Sequence, residues 1–125
     1  MSLNFPVTLV IPILNEAESL PELLQALKAQ SHRPDEIIFS DAGSTDGSQA
    51  LIEVWWRDQG WEDGSCSVLL QPGAMPGAGR NAGVQAARND WIAFIDGGIT
   101  PAGDWLEQLC GHALGNFLRS TLRFA

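Results

Sequence analysis

The sequence is poor in basic residues: seven lysines and arginines stand against fifteen acids, a net charge of −8 over 125 residues. That imbalance excludes duplex DNA or RNA as a partner, because nothing in the chain could neutralise a row of phosphates. A small anionic ligand is compatible with it only if a local cation or a ring of backbone N–H groups holds the anion. Cysteine is scarce as well. Cys66 and Cys110 show no metal-like spacing and read as reduced core thiols, with a single disulfide as the alternative; reduced thiols favour the cytosol. No apolar run is long enough to span a bilayer, and the longest, Val7 to Leu14, contains Pro12. Met1 to Pro6 offers neither a positive n-region nor a small-residue cleavage site, so it does not read as a secretory signal. These absences predict a soluble, cytoplasmic unit.

What is present is a core-forming composition, 45% apolar and 18% charged, which fits one folded domain over residues 1–125. Val7 to Ile11 is a β-branched run of the kind buried on both faces of a sheet, and Pro12 is expected to end it. Leu20, Leu23, Leu24 and Leu27 then recur at i, i+3, i+4 and i+7, one face of a helix whose start carries the Ser19/Glu22 capping-box spacing. Glu36 to Ser40 reads as a second strand. A helix from about Ser48 to Gln59 follows, burying Leu51, Ile52 and Trp55. Ser67 to Leu70 reads as a third strand, and a Gly- and Pro-rich loop leads into a small-residue helix through Ala87. Trp91 to Ile95 is the fourth strand, and Pro101 and Asp104 open a last helix. The order β-α-β-α-β-α-β-α with short connections predicts an α/β fold: a mostly parallel sheet with helices on both faces and right-handed crossovers.

Ligands of such sheets sit at the carboxyl ends of the strands. Polar residues collect there: Asn15 and Glu16 after the first strand, Asp41, Ser44 and Asp46 after the second, Arg80 and Asn81 after the third, Asp96 after the fourth. A carboxylate such as Asp41 can accept from a nucleobase N–H or a sugar hydroxyl. Asp96 can accept from ribose hydroxyls or help to hold a divalent cation. Arg80 follows a Gly-rich turn at a helix start, where its charge, backbone N–H groups and the helix dipole can meet a diphosphate.

Four stretches at these ends carry a resemblance. Val10 to Glu16 (VIPILNE), Ser40 to Ser48 (SDAGSTDGS), Gly79 to Gly83 (GRNAG) and Trp91 to Asp96 (WIAFID) together are similar to the family 2 glycosyltransferases of the GT-A type. They stand in the family's order, each at a strand–loop junction, across residues 7 to about 110. The resemblance implies a GT-A, Rossmann-like half that binds a nucleotide-diphosphate sugar and transfers the glycosyl unit to an acceptor of unspecified kind. Carried over by motif, Pro12, Asn15 and Glu16 would lie near the nucleoside. Asp41 would bind the base, with Ser44 in the same loop, and Asp96 would take the first place of the D-x-D motif and ligate Mg²⁺ or Mn²⁺. The chain departs from the pattern at Gly98, which stands where the family carries its last acidic ligand. The family's catalytic domain is also longer, so residues 1–125 would be its N-terminal, nucleotide-sugar-binding portion, and the resemblance names no catalytic base here. The parent protein could act at the inner face of the membrane.

Each residue has a plainer reading. Asp41 and Asp46 between them fit a helix N-cap and a turn, Asn15 and Glu16 a helix cap, and Arg80 a surface or intradomain ion pair. His32 and His112 have no partner spacing. Trp55 fits the core, while Trp56 and Trp61 fit an edge or a homo-oligomer contact. The tail from Asn116 could pack on further sequence, another subunit or a membrane. Two other functions compete: a non-catalytic nucleotide-sugar-binding or assembly module, and a dinucleotide-binding oxidoreductase. Gly77, Gly79 and Gly83 speak poorly for the latter, because they read G-x-G-x-x-x-G after the third strand and not G-x-G-x-x-G after the first.

Overall fold

The computed structural model describes residues 6–60 and 65–111; Trp61, His112 and the tail lie outside them. Strands β1 (Val7–Ile13), β2 (Glu36–Asp41), β3 (Cys66–Leu70) and β4 (Trp91–Phe94) alternate with helices α1 (Leu20–Lys28), α2 (Ser48–Gln59) and α3 (Pro76–Ala86). Residues 105–111 are helical after β4. The strands form one parallel sheet in the order β3-β2-β1-β4. The chain therefore steps outward from β1 to β3, then returns and lays β4 against the other side of β1. That reversal makes a switch point between the carboxyl ends of β1 and β4.

Alternation along β1 assigns the two faces. Leu9, Ile11 and Ile13 join Ile37, Phe39, the four leucines of α1 and Ile52 of α2 in one apolar cluster. Leu20, Leu23, Leu24 and Leu27 are all at most 4% exposed, each contributing roughly 1.5–3 kcal/mol by burial. The opposite face, with Val10 and Ser40, receives α3. Small residues make that contact possible: a Cβ on Gly83 would fall 2.4 Å from Val10 Cγ1, and one on Gly79 would fall 3.2 Å from Ser40 Oγ. α3 thus lies close on the sheet.

Three local expectations are corrected. Pro12 does not end β1, which runs on to Ile13. The Val10 carbonyl accepts from Ile95 N–H on the β4 side and the Ile13 carbonyl from Ala42 N–H on the β2 side. Pro12, in phase with Val10, therefore turns its missing N–H toward β4, whose pairing with β1 already stops at Val10 and Phe94. Ser19 precedes α1 without making a side-chain cap, since its hydroxyl lies 3.1 Å from both Glu16 Oε2 and the Gly97 carbonyl. Leu51 is 38% exposed, whereas Ile52 is 1%. The inward stripe of α2 follows Ser48, Ile52 and Trp55, and Leu51 lies one residue, about 100° of rotation, away from Ile52.

Both cysteines are free thiols. Burial pushes the Cys66 thiol up to about 12, and burial, aided by nearby Asp35, raises Cys110. At the amino end of the sheet the buried Glu36 carboxylate is fully engaged: Oε1 accepts from Thr8 Oγ1 at 2.8 Å and Arg88 N–H at 2.9 Å, and Oε2 accepts from Arg88 Nε at 3.1 Å.

Candidate functional site

At the other end, the loops after β1 and β2 interlock. Asn15 adopts a left-handed backbone, φ 52°, a conformation asparagine tolerates better than most residues. Its N–H donates to Ser44 Oγ and its Oδ1 accepts from Thr45 N–H, both at 2.8 Å. Glu16 N–H donates to Ser48 Oγ at 3.1 Å and Ala17 N–H to Asp46 Oδ2 at 2.9 Å. Asp46 Oδ1 in turn accepts from the Ser48 hydroxyl at 2.6 Å, and these bonds hold the Asp46 carboxyl below its ordinary value.

Asp41 anchors the second loop from within. Its side chain is fully buried. Oδ1 accepts from Gly43 N–H at 3.1 Å, Ser44 N–H at 2.8 Å and the Ser44 hydroxyl at 2.7 Å, while Oδ2 accepts from Gln49 Nε2. Burial alone would raise the Asp41 carboxyl, but the bonds from Gln49, Ser44 and Gly43 outweigh it and hold the group below the usual carboxylate range.

Beside this lock, at the switch point, lies a cleft of about 280 Å³. Its walls are the end of β1 with Pro12 and Glu16, the end of β2 with Ser40 and Ala42, the entry of α3 with Met75, Gly79 and Arg80, and the end of β4 with Asp96 and Gly97. Arg80 is the one cationic side chain in that lining. Its Nη2 meets Asp96 Oδ1 at 3.0 Å, with the two side chains 39% and 54% exposed. α3 opens on the cleft with no side-chain cap and no acid in its first turn. Ser40, 2% exposed, turns a buried hydroxyl to this region without a hydrogen-bond partner among the described residues.

Pro12, Glu16, Arg80 and Asp96 are therefore brought together around one cleft. Asn15, Asp41 and Ser44 are instead tied into the adjoining loop lock. Ser40, Met75 and Gln49 escaped sequence reasoning. Ser40 was the findable one, because strand alternation sets it on the α3 face next to Asp41.

A divalent metal does not fit the donor set in hand. The tip of β4 offers one carboxylate, and it is paired with Arg80; the Glu16 carboxylate of the same cleft already accepts from the Ser19 hydroxyl at 3.1 Å. Gly98 adds no side chain, and no group of three potential ligands occurs among the described residues.

An open parallel α/β sheet with its cleft at the switch point defines the class of protein. The sequence narrows it further: the profile of Glycosyl transferase family 2 matches residues 8–117, and the chain belongs to that family. It is 35% identical over 109 residues to the pre-mycofactocin glycosyltransferase of Mycobacterium tuberculosis, a match covering 85% of this chain and 20% of that protein. The fold is that of the GT-A glycosyltransferases. It superposes on Staphylococcus aureus TarS 1–349 in complex with UDP-GlcNAc at TM-score 0.72 and 21% identity, over 86% of this chain and 30% of that one. It also matches the mannosyltransferase PcManGT of Pyrobaculum calidifontis, in complex with GDP-Man and Mn²⁺, at TM-score 0.67 and 23% identity, over 82% and 33% of the two chains. The chain thus spans a fifth to a third of these three proteins. Among the described residues no helix is long and apolar enough to cross a membrane.

Proposed function

We propose that the chain binds a nucleotide-diphosphate sugar in the switch-point cleft and serves transfer of its glycosyl unit to an acceptor hydroxyl. One observation carries the reading: Arg80, the cation of the cleft lining, stands at the uncapped start of α3 opposite Asp96. A guanidinium beside free helix N-terminal N–H groups suits a diphosphate. Pro12, Asn15 and Glu16 flank the nucleoside in this reading. Asp41, buried in the loop lock, takes a base N–H in place of the Gln49 amide that covers its Oδ2, with Ser44 supporting its loop, and Asp96 accepts from ribose hydroxyls. In the reaction the bond from the anomeric carbon to the diphosphate breaks as the acceptor oxygen attacks, and a base removes the acceptor proton. Because the match covers only 20% of the mycobacterial relative and 30% of the TarS chain, residues 1–125 are read as the nucleotide-sugar-binding portion, with the acceptor site and base elsewhere in a longer domain. A cytoplasmic setting suits the two free thiols.

Thermal unfolding against nucleoside diphosphates and their sugars tests the proposal. A ligand at 100 times its Kd adds about 2.7 kcal/mol, several degrees in Tm for a domain of this size. A rise with one nucleotide, lost in Arg80→Ala, is expected. No rise with any member of the panel, in a cooperatively unfolding sample, overturns it.

A further inference from the structure

Resting on the reading that the cleft takes a nucleoside diphosphate, we propose that it does so without a divalent cation. Arg80 and the first turn of α3 supply the positive charge.

The donor set points this way first. Asp96 is followed by two glycines, and a Cβ at Gly98 would have Glu16 Oε2, 3.9 Å away, as its nearest neighbour. No second carboxylate therefore extends from the β4 tip. A cation approaching Asp96 would meet the guanidinium already 3.0 Å from Oδ1, and like charges at such range repel.

The guanidinium is also equipped for the task. Only Nη2 engages Asp96, and the planar fork has five N–H donors. Asp96 can orient Arg80 through one edge while the other donors face a phosphate. The pair is about half-exposed, and solvent-accessible pairs are weak, so a multiply charged diphosphate competes for the arginine. Glu16 lines the same cleft with its carboxylate beside Gly97 and Gly98. Its repulsion confines phosphates to the α3 wall.

That wall has unsatisfied donors. α3 is 11 residues long, begins with Pro76, and has neither a side-chain cap nor a first-turn acid. Its first intrahelical bond runs from Gly79 N–H to the Met75 carbonyl at 3.0 Å, leaving the N–H groups of Gly77 and Ala78 to face outward. The buried, unpartnered Ser40 hydroxyl lies against the same turn at Gly79, a polar atom that a bound ligand can satisfy.

Calorimetric titration of the 125-residue chain with UDP and with GDP, in EDTA and in Mn²⁺, tests the proposal. The Kd of the preferred nucleotide should agree between the two conditions within about threefold, and Arg80→Ala should weaken it about tenfold or more in EDTA. Gly98→Asp, which the open space at that position accommodates, should make Mn²⁺ tighten binding about tenfold. A wild-type chain that Mn²⁺ tightens as strongly as it does Gly98→Asp overturns the cation-free site and leaves the nucleotide reading standing. Unchanged affinity in a folded Arg80→Ala chain overturns the role of Arg80. Binding of neither nucleotide in either condition overturns the proposal and the nucleotide reading together.

Discussion

Replacing Gly83 by alanine should destabilise the fold, although alanine is the better helix former. Gly83 lies within α3, where the change would ordinarily gain about 1 kcal/mol. Its new Cβ would fall 2.4 Å from Val10 Cγ1 and 3.0 Å from Cγ2, against a comfortable carbon–carbon separation of about 3.5–4.0 Å. Val10 cannot yield easily, being fully buried on the strand between β2 and β4 and stiff at χ1. Overpacking of this kind costs about 1–3 kcal/mol, and overlap with both methyls places it toward the upper end. The net expectation is a loss of about 1–2 kcal/mol, a few degrees in Tm. The loss should shrink in a Val10→Ala background, where Cγ1 and Cγ2 are gone and only the Cβ, 3.3 Å away, stays close. Urea unfolding of the four proteins in this cycle measures both terms. Because Arg80 sits one turn earlier on α3, a helix pushed off the sheet should also weaken the proposed nucleotide binding. Gly83→Ala as stable as the wild type, or a loss undiminished by Val10→Ala, would refute the close approach of α3 to the sheet.

Other outcomes follow from the same contacts. Asp41 and Asp46 titrate below the ordinary 3.8, so their contribution is complete above that pH and is lost as pH falls through their lower folded values. The urea midpoint should drop below about pH 4, and Asp41→Asn should flatten that limb by removing the titrating group; an unchanged acid limb would count against the loop lock. Arg88→Ala should cost about 1–2 kcal/mol, less than the loss of a fully buried pair because the arginine is 57% exposed while Glu36 is 6% exposed. Adding Glu36→Gln should recover part of that cost by removing the uncompensated charge. Cys66, pushed up to about 12, should be thiolate to only about one part in ten thousand at pH 8. An aromatic disulfide reagent should then label this half-buried thiol slowly in the native chain and rapidly in urea; fast native labelling would refute the raised thiol.

The strands and helices were legible because their signals are local. The β-branched run of β1 and the four leucines of α1 need no partner to declare a buried strand and an amphipathic helix. Pro12 misled because the fault depends on a neighbour. A proline interrupts a strand only where its missing N–H faces a paired strand, and β4 stops short of it. Leu51 misled because a helical stripe tolerates one residue of phase error in sequence, and α1 decides which phase is buried.

Sequence alone determined the alternation of elements, the parallel class of the sheet and the acid-rich edge, since period, turn chemistry and charge are written residue by residue. Only the tertiary structure divided that edge. It tied Asn15, Asp41 and Ser44 into a lock between two loops, and it drew Pro12, Glu16, Arg80 and Asp96 around one cleft. The division depends on where β4 lies relative to β1 and on how near α3 comes to the sheet. Arg80 and Asp96 are 16 residues apart in the chain, and their 3.0 Å contact exists because glycines let α3 settle against β1 and β2.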